Sequence, residues 1–542
     1  MAILFKRLLA KGFLPDTLPP AFTTTPFATF AAKHKTKFNE VATAPPRFKG
    51  IDFSASKAGY RRRMFTLPHP ITQFFISDFI SGKWKEISKQ LKTSKFSISV
   101  PKLAHPEEPR AVKITPLSDL HPIVHKRLGH LAYVARSDIQ AFYPSLYTHS
   151  IPWVVHGKPA SKKDTSPNSA NVTFNKLDWC LRRGQDGQTI GIPIGPDTSR
   201  IIGELICSAI DGKLKSYAGK NLVRCVRHVD DVFMGADTRE TAGNCIAAFR
   251  RALRDFGLEI NEGKTRIFQA SSLRDDDWPR KLLRRVNSYE LEEKPERKRN
   301  KLFGLFEETF WLADSLQSEA PVRFLLRRMD RDGLIAIGPW DVSENFLIKC
   351  LYDYPHTTDH VSRILIWQEL FGGEISKRTW RHALNNRLEY HLGMGHDEEI
   401  AWLLWAAVSL DFAIGVSSAN LLASYENPII ALMSVHAYSE GVLPKKTKTS
   451  FWASKINDES LVEDWWLVAY ECAQKGWLGT SPKWETPVGK LFATMKEKNV
   501  FFYRVGSDSL SDFDKDKPAI PSSSFGYEEE EDIDGTFEDE PF

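Results

Sequence analysis

The segment Arg227-His228-Val229-Asp230-Asp231-Val232-Phe233-Met234-Gly235 places two adjacent aspartates between two stretches rich in β-forming residues. A strand, a turn and a second strand make a β-hairpin, so Asp230 and Asp231 are predicted at its turn. Neighbouring carboxylates repel each other unless a cation offsets the repulsion, and Mg²⁺ prefers oxygen ligands of this kind. The alternative is a solvated Asp-Asp turn without a chemical role, because turns of this composition are common.

A third carboxylate lies in the segment Arg136-Ser137-Asp138-Ile139-Gln140-Ala141-Phe142-Tyr143-Pro144-Ser145. Asp138 ends a second β-rich run, Tyr133–Ile139. Two metal ions that activate an attacking hydroxyl and stabilise a leaving group need shared carboxylates from different strands. Asp138 together with the Asp230-Asp231 pair meets that requirement.

Two further segments lie in a fixed order around these aspartates. Gln188–Ser199 is a glycine–proline loop that leads into a helix predicted at Ser199–Tyr217, and its glycines allow the backbone to approach a flat ligand. Gly257–Thr265 is a turn whose Lys264 is suited to neutralise or protonate a leaving pyrophosphate. An exposed turn lysine without a role is the alternative for Lys264.

Four features thus follow one another along the chain: an aspartate strand, a glycine–proline loop with a helix, an Asp-Asp hairpin, and Asn261-x-x-Lys264-Thr265. This order resembles motifs A to D of reverse transcriptases. The resemblance covers roughly residues 60–290. It implies a metal site for two Mg²⁺ ions, which Mn²⁺ can replace, and it implies catalytic and nucleotide-binding residues. The implied metal ligands are Asp138, Ile139, Asp230 and Asp231; the implied catalytic residues are Asp138, Asp230, Asp231 and Lys264; the implied nucleotide-binding residues are Phe142, Tyr143, Gly191, Pro193, Gly195 and Lys264.

The resemblance makes Tyr143 the steric gate that rejects a 2′-hydroxyl, so deoxynucleoside triphosphates are the expected substrates; a plain core aromatic is the alternative. His228 and Ile194 depart from the family, because most relatives have tyrosine and many have glutamine at these places. Both departures bear on primer handling and fidelity rather than on metal binding. Arg110 and Lys113 are candidate contacts to triphosphate or template phosphates, although each is also a common kind of surface charge.

The domain organisation follows from shifts in composition along the chain. Residues 1–60 are rich in Pro, Thr and Phe and are predicted as an extended arm, with disorder as the alternative. Residues 61–290 are predicted as the fingers and palm of a right-hand polymerase, an α+β fold. A charged, proline-containing boundary then leads into residues 291–506, predicted as an all-α, helical-repeat-like domain. Residues 507–542 are predicted as an acidic, disordered tail.

Charge is distributed unevenly along the 542 residues. The segment 507–542 carries a net charge of −11 within an overall charge of +5, so the remainder carries +16. A basic body attracts phosphate backbones, and an acidic tail either competes with them or keeps the protein soluble. The apolar runs are too short to span a bilayer, and the six cysteines lack metal-ligand spacing, which favours a cytoplasmic location and no membrane partner.

Three features of the chain are similar to those of bacterial abortive-infection and defence-associated reverse transcriptases. They are the segment Leu14-Pro15-Asp16-Thr17-Leu18-Pro19-Pro20, the Gly191–Pro196 loop and the long helical C-terminal half. That resemblance implies an RNA-directed DNA polymerase of antiphage defence in the bacterial cytoplasm. Its implied partners are RNA, such as a companion noncoding RNA template, its DNA product and other copies of the chain in a homo-oligomer. Synthesis is then templated, or protein-primed and untemplated. The alternatives are a retron- or intron-like enzyme and a catalytically inert RNA-binding scaffold.

Overall fold

The computed structural model describes residues 2–42, 47–57, 61–273, 278–511 and 513. The chain divides into two compact units. The first comprises Met1–Leu14, Phe27–Gly50 and Thr66–Asp275, and the second comprises Pro15–Pro26, Ile51–Phe65 and Asp276–Phe542. This division differs from the sequence-based boundaries, because parts of the N-terminal arm belong to each unit and the second unit starts before residue 290 rather than after it.

The structure is mixed α/β and mostly helical. Its strands are β1 (Ile51–Ser56), β2 (Arg62–Leu67), β3 (Lys102–Leu103), β4 (Val112–Lys113), β5 (Tyr133–Ser137), β6 (Arg224–His228), β7 (Asp231–Ala236) and β8 (Arg266–Gln269). The helices that lie wholly or mostly in the first unit are α1 (Ala2–Ala10), α2 (Thr25–Lys33), α3 (Lys35–Glu40), α4 (Pro70–Gly82), α5 (Trp84–Leu91), α6 (Leu120–Leu128), α7 (Phe142–Ser145), α8 (Ser150–His156), α9 (Lys158–Lys163), α10 (Asn175–Arg183), α11 (Asp197–Ala218) and α12 (Arg239–Arg254).

A four-stranded antiparallel sheet in the order β6-β7-β5-β8 organises the first unit. The predicted β-rich runs before Asp138 and before the Asp230-Asp231 pair are confirmed as β5 and β6. Val134, Val226 and Met234 are fully buried, and helices α6 and α12 pack against the sheet. Burial of these β-branched and aliphatic side chains explains why short strands persist within a largely helical chain.

Helix α11 confirms the helix predicted at Ser199–Tyr217 and starts two residues earlier, at Asp197. Its polar side is buried as well as its apolar side, since Glu204 and Asp211 are 5% and 2% exposed and Ile201 is fully buried. An amphipathic surface helix would expose those polar residues. Their burial therefore requires polar partners, which the neighbouring strand β6 supplies.

The extended arm predicted for residues 1–60 is wrong for much of its length, because α1, α2 and α3 occupy it. Phenylalanine rings in and around these helices pack on one another, with Phe13 against Phe27, Phe27 against Phe38, and Phe38 stacked on Phe74 at 4.0 Å between centroids. Burial of these rings stabilises short helices that the prolines alone argued against. The short strands predicted near residues 97–102 and 110–114 shrink to the two-residue strands β3 and β4.

Within the described residues, the regular elements of the second unit are helices apart from β1 and most of β2, which form a two-stranded sheet. Its helices are α13 (Trp278–Glu290), α14 (Pro295–Ser315), α15 (Ala320–Arg331), α16 (Trp340–Asp353), α17 (Thr358–Trp367), α18 (Lys377–Met394), α19 (Asp397–Ser409), α20 (Val416–Leu422), α21 (Pro428–Ser439), α22 (Ser450–Ser454), α23 (Trp466–Lys475) and α24 (Pro487–Glu497). The predicted apolar helices near residues 398–412 and 428–437 are confirmed as α19 and α21. Most of the predicted acidic tail lies outside the described residues.

Candidate metal centre

The Asp230-Asp231 pair lies at the turn between β6 and β7, as the hairpin prediction required. β6 ends at His228, β7 begins at Asp231, and these two residues are paired across the turn. Val229 adopts a left-handed conformation with φ of +50°, which is unusual for a β-branched residue. The chain therefore reverses direction within two residues, Val229 and Asp230.

Asp138 follows β5 directly, and the sheet brings it beside the hairpin. Ser137 is paired with Val232 in the antiparallel ladder, so continuing that register places Asp138 next to Asp231. The Asp138 side chain is mostly buried, and its main-chain carbonyl accepts a hydrogen bond from the amide of Asn261 at 3.0 Å. Asp138 and Asp231 thus follow or begin adjacent strands at the same end of the sheet.

Cationic side chains contact these carboxylates. Lys264 Nζ lies 3.3 Å from Asp138 Oδ2, and Arg136 Nη2 lies 3.3 Å from Asp231 Oδ1. The ligand oxygens of Asp138, Asp230 and Asp231 do not all lie close enough together to share one ion. Lys264, predicted to act on a leaving pyrophosphate, thus lies beside Asp138.

The donor set at this end of the sheet fits Mg²⁺. Asp138, Asp230 and Asp231 offer carboxylate oxygens, which are hard ligands of the kind that Mg²⁺ prefers. Asp138 is 6% exposed, and a buried carboxylate beside other carboxylates needs a compensating cation. The side chain of Ile139 is buried and apolar, so this residue offers a metal only its main-chain carbonyl oxygen.

Phe142 and Tyr143 begin the short helix α7, which starts four residues after Asp138, and their rings contact each other with 4.9 Å between centroids. Both pack against Gly203 of α11. A β-carbon built on Gly203 would lie 3.1 Å from Phe142 Cε1 and 3.2 Å from Tyr143 Cε1. The absence of a side chain at Gly203 therefore fixes how closely the Tyr143 ring approaches α11.

The predicted glycine–proline loop is hydrogen-bonded to the segment that carries Tyr143. The Ile192 amide donates to the Tyr143 carbonyl at 3.0 Å, and the Gly191 amide donates to the Leu146 carbonyl at 2.8 Å. Gly191 has φ of +88°, and a β-carbon there would lie 3.2 Å from the Pro144 carbonyl oxygen. Glycine is required at this position both by the backbone conformation and by the close approach.

Gly195 and Pro193, both predicted as nucleotide-binding residues, belong to the same loop. The Gly195 carbonyl accepts a hydrogen bond from Arg110 Nη2 at 2.7 Å. Pro193 is half-buried. The loop is thus held by Arg110 on one side and by the Tyr143 segment on the other.

Arg110, predicted as a candidate phosphate contact, is instead a structural residue. Its guanidinium is 4% exposed and donates from Nε and Nη2 to Asp197 Oδ1 at 3.0 and 2.6 Å and from Nη1 to the Leu14 carbonyl at 2.8 Å. These protein acceptors occupy the N–H donors that a phosphate would need. The buried carboxylate of Asp197 in turn requires a cationic partner, which Arg110 provides. Lys113, the other candidate, is exposed and pairs with Glu108 at 2.8 Å.

The side chain of His228, at the position where the sequence departs from the reverse-transcriptase motif, contacts the main chain of Thr115. Its Nε2 lies 2.8 Å from the Thr115 carbonyl, so Nε2 carries the proton and donates. Burial lowers the pKa of His228, which keeps the imidazole neutral. The residue therefore anchors the end of β6 to the segment around Thr115.

The sequence analysis did not single out Arg227 or Arg136. Arg227 is 1% exposed and binds two buried acids of α11. The available signal was a charged residue within a β-rich run, together with two acids spaced two helical turns apart in the preceding helix, Glu204 and Asp211. Arg136 lies two residues before Asp138, and its contact with Asp231 depends on strand register that the sequence does not reveal.

A second group of ionisable side chains lies in the second unit. His391 Nδ1 and His396 Nδ1 are 3.0 Å apart, and Glu399 Oε1 lies 3.9 Å from His396 Nδ1. Arg62 binds both carboxylate oxygens of Glu399 at 2.6 and 2.9 Å, and Arg387 Nη2 lies 3.4 Å from His391 Nε2. Hydrogen bonds within the protein thus account for this group. In the part of the chain that is described, no helix combines the length and apolar character needed to cross a membrane.

No model of a known protein family and no curated protein matches the sequence. Among solved structures, apo telomerase from Candida tropicalis truncated from its C-terminal domain aligns at 14% identity over 44% of this chain and 55% of its own, with a TM-score of 0.27. Apo telomerase from Candida tropicalis aligns at 11% identity over 76% and 73%, with a TM-score of 0.31. Telomerase from Candida albicans in complex with a fragment of telomeric RNA aligns at 10% identity over 68% and 67%, with a TM-score of 0.28. The chain thus spans about half the length of the first of these. Alignments with such scores do not establish a shared fold.

Proposed function

We propose that this protein is a DNA polymerase of the reverse-transcriptase type, which adds deoxynucleotides by phosphoryl transfer with two Mg²⁺ ions. The supporting observation is the β6-β7-β5-β8 sheet, in which Asp138 at the end of β5 lies beside the Asp230-Asp231 turn of the β6–β7 hairpin. The proposal is also supported by the four sequence motifs, which occur on and around this sheet in the order expected of a polymerase palm.

Asp138, Asp230, Asp231 and the main-chain carbonyl of Ile139 would hold the metal ions. When bound, the ions activate the 3′-hydroxyl of the primer and stabilise charge on the leaving pyrophosphate. Arg136 Nη2 lies 3.3 Å from Asp231 Oδ1, so this arginine of β5 helps to position the Asp231 carboxylate. Mn²⁺ is expected to substitute, since it accepts the same oxygen ligands.

Lys264 is proposed to neutralise or protonate the departing pyrophosphate. Its Nζ lies 3.3 Å from Asp138 Oδ2, and its side chain is 36% exposed, so it reaches both the carboxylate and solvent. A lysine in this position is ready to transfer its contact from a carboxylate to a phosphate when substrate binds.

Tyr143 and Phe142 are proposed to form the floor under the incoming sugar. Tyr143 is 8% exposed, and its position is fixed by Gly203 on one side and by the Gly191–Ile192 loop on the other. A rigid aromatic ring excludes a 2′-hydroxyl by contact, which makes deoxynucleotides the preferred substrates.

A nucleic-acid partner is supported by the charge on helix α13. Four exposed basic side chains share one face of this helix: Arg280, Lys281, Arg284 and Arg285. The opposite face buries Trp278, Leu282, Val286 and Tyr289. A stripe of arginine and lysine on a stably packed helix is suited to a phosphate backbone, with affinity that falls as salt rises.

The finer assignment rests on sequence resemblance. We propose that synthesis uses a companion noncoding RNA as template, or a protein hydroxyl as primer without a template, and serves antiphage defence. Assembly into a homo-oligomer through the helical second unit belongs to the same proposal. Sequencing the nucleic acid that co-purifies with the protein, with and without phage infection, distinguishes a defined template from untemplated product.

The catalytic proposal is tested with the purified full-length protein, its co-purifying RNA, labelled deoxynucleotides and Mg²⁺. Labelled DNA is expected from the wild-type protein and from Asp237→Asn, which alters an exposed acid beyond the far end of β7. Loss of product is expected in Asp231→Asn. Salt-sensitive RNA binding without incorporation by the wild type would instead identify an RNA-binding scaffold, and a branched RNA–DNA product would identify a retron-like enzyme.

A further inference from the structure

The turn that carries Asp230 contains a residue in an unfavourable conformation. Val229 has φ of +50°, a region in which β-branched side chains crowd the following carbonyl. Val229 is also 8% exposed, so its side chain is packed rather than solvated. Such a conformation persists only where surrounding contacts enforce it.

Two hydrogen bonds hold the Val229 peptide groups in place. Arg227 Nη1 donates to the Val229 carbonyl at 2.7 Å, and the Val229 amide donates to Ser99 Oγ at 2.8 Å. Both the carbonyl and the amide of the left-handed residue are thus bound to side chains outside the turn.

Arg227 is itself fixed by two buried acids of α11. Its Nη2 donates to Glu204 Oε1 at 2.7 Å and to Asp211 Oδ2 at 2.9 Å, and its Nε donates to Asp211 Oδ1 at 2.9 Å. All three side chains are 5% exposed or less. A bidentate, buried arrangement of this kind gives the guanidinium a single orientation.

Ser99 belongs to the same network. Its Oγ also lies 3.3 Å from Glu204 Oε2, as donor, and the preceding segment pairs with β6. The Ile98 amide donates to the Arg227 carbonyl and the Arg227 amide donates to the Phe96 carbonyl, both at 2.9 Å. The serine therefore approaches the turn from a segment that is registered on the hairpin strand.

We propose that Ser99, Glu204, Asp211 and Arg227 form a positioning clamp that holds Val229 in its left-handed conformation and so sets the direction in which Asp230 and Asp231 leave the turn. The clamp touches neither metal nor substrate. Its loss lets the turn relax, which lowers the affinity of the aspartates for divalent cations. This inference rests on the proposed polymerase function of the same turn.

Ser99→Ala is the primary test, because it removes the one hydrogen bond from Ser99 to the turn, together with its longer bond to Glu204, while Glu204 keeps its ion pair with Arg227. The Mg²⁺ concentration for half-maximal DNA synthesis is expected to rise about fivefold, the effect of one lost hydrogen bond. Binding of Mn²⁺, followed by electron paramagnetic resonance without nucleotide, is expected to weaken by the same factor. Ser208→Ala is the matched control, since Ser208 is equally buried in α11 and bonds to the Leu205 carbonyl instead.

Val229→Gly separates positioning from plain stability. Glycine adopts the left-handed conformation without strain, so the turn no longer depends on the clamp. When Ser99→Ala is added to Val229→Gly, it is therefore expected to raise the Mg²⁺ requirement much less than it does in the wild-type protein, so the double variant should resemble Val229→Gly alone. Equal shifts in the two backgrounds would overturn the proposal. So would a Ser99→Ala protein whose thermal midpoint falls while its metal affinity is unchanged.

Asp230→Asn distinguishes the failure of this inference from the failure of the proposed function. Retained synthesis in Asp230→Asn would overturn the polymerase assignment, whatever Ser99 does. Abolished synthesis in Asp230→Asn together with normal Mg²⁺ and Mn²⁺ affinity in Ser99→Ala would leave the function standing and overturn the clamp.

Discussion

Replacing Gly203 with alanine tests whether the packing of α11 sets the nucleotide site. The new β-carbon would lie 3.1 Å from Phe142 Cε1, 3.3 Å from Phe142 Cζ and 3.2 Å from Tyr143 Cε1. Comfortable carbon–carbon contact begins at about 3.5 to 4.0 Å, so both rings must retreat by roughly 0.5 Å. Helix α11 cannot retreat instead, since residues on both of its sides in this stretch are buried.

The expected magnitude follows from two opposing terms. Overpacking a well-filled interior costs about 1 to 3 kcal/mol, while alanine in place of glycine within a helix gains about 1 kcal/mol. The net loss of stability is therefore about 0 to 2 kcal/mol, which leaves the protein folded. Misplacing a substrate-contacting ring by roughly 0.5 Å is expected to lower kcat/KM for deoxynucleotides about tenfold.

Steady-state incorporation of single deoxynucleotides and thermal melting measure the two effects separately. Gly212→Ala is the matched control, because it lies in the same helix with nothing within 4 Å of its added β-carbon. That variant is expected to gain about 0.5 to 1 kcal/mol with unchanged kcat/KM. If Gly203→Ala kept wild-type kcat/KM, Phe142 and Tyr143 would not form the nucleotide site.

Three further predictions address other parts of the chain. Tyr143→Ala is expected to raise ribonucleotide relative to deoxynucleotide incorporation about tenfold or more, measured by competition; an unchanged ratio would refute its role as steric gate. Lys264→Met is expected to lower kcat about a hundredfold with little change in nucleotide KM, as single-turnover rates would reveal; a pure KM effect would argue for binding instead. In the second unit, burial lowers the pKa of His436 to about 4, so this histidine stabilises the fold above its unfolded pKa near 6.5 and that stability is lost as pH falls. Thermal melts of wild type and His436→Gln are expected to show a loss between pH 7 and pH 5 of about 2 kcal/mol that is absent from the variant, and equal losses would contradict the assignment.

The sequence predicted the sheet and its hairpin because their signals are local. β-rich runs adjoin Asp138 and Asp230, and the glycine–proline loop leads directly into α11. These elements can be predicted from the sequence because each of them is formed by one continuous segment. The same reasoning located α19 and α21 in the second unit from their apolar runs alone.

Contacts between distant segments explain what the sequence could not predict. Arginine is a residue type that commonly binds phosphate, and only the folded structure shows that the donors of Arg110 are used within the protein, on the buried carboxylate of Asp197. The Arg227 clamp joins residues near positions 99, 204 and 227, which no single window contains. The helices of the N-terminal arm were not predicted, because the prolines of this segment argue against regular structure. The phenylalanine contacts that stabilise the helices involve distant residues such as Phe74.

The central claim is that Asp230 and its neighbours bind the metal ions of DNA synthesis. The most direct measurement compares Mg²⁺-dependent incorporation of labelled deoxynucleotides by wild type, Asp230→Asn and the exposed-acid control Asp237→Asn, each verified as folded by its thermal midpoint. The account predicts that Asp230→Asn loses about a thousandfold or more in rate, because metal catalysis contributes several kcal/mol, while Asp237→Asn keeps the wild-type rate. DNA synthesis at wild-type rate by folded Asp230→Asn would contradict it.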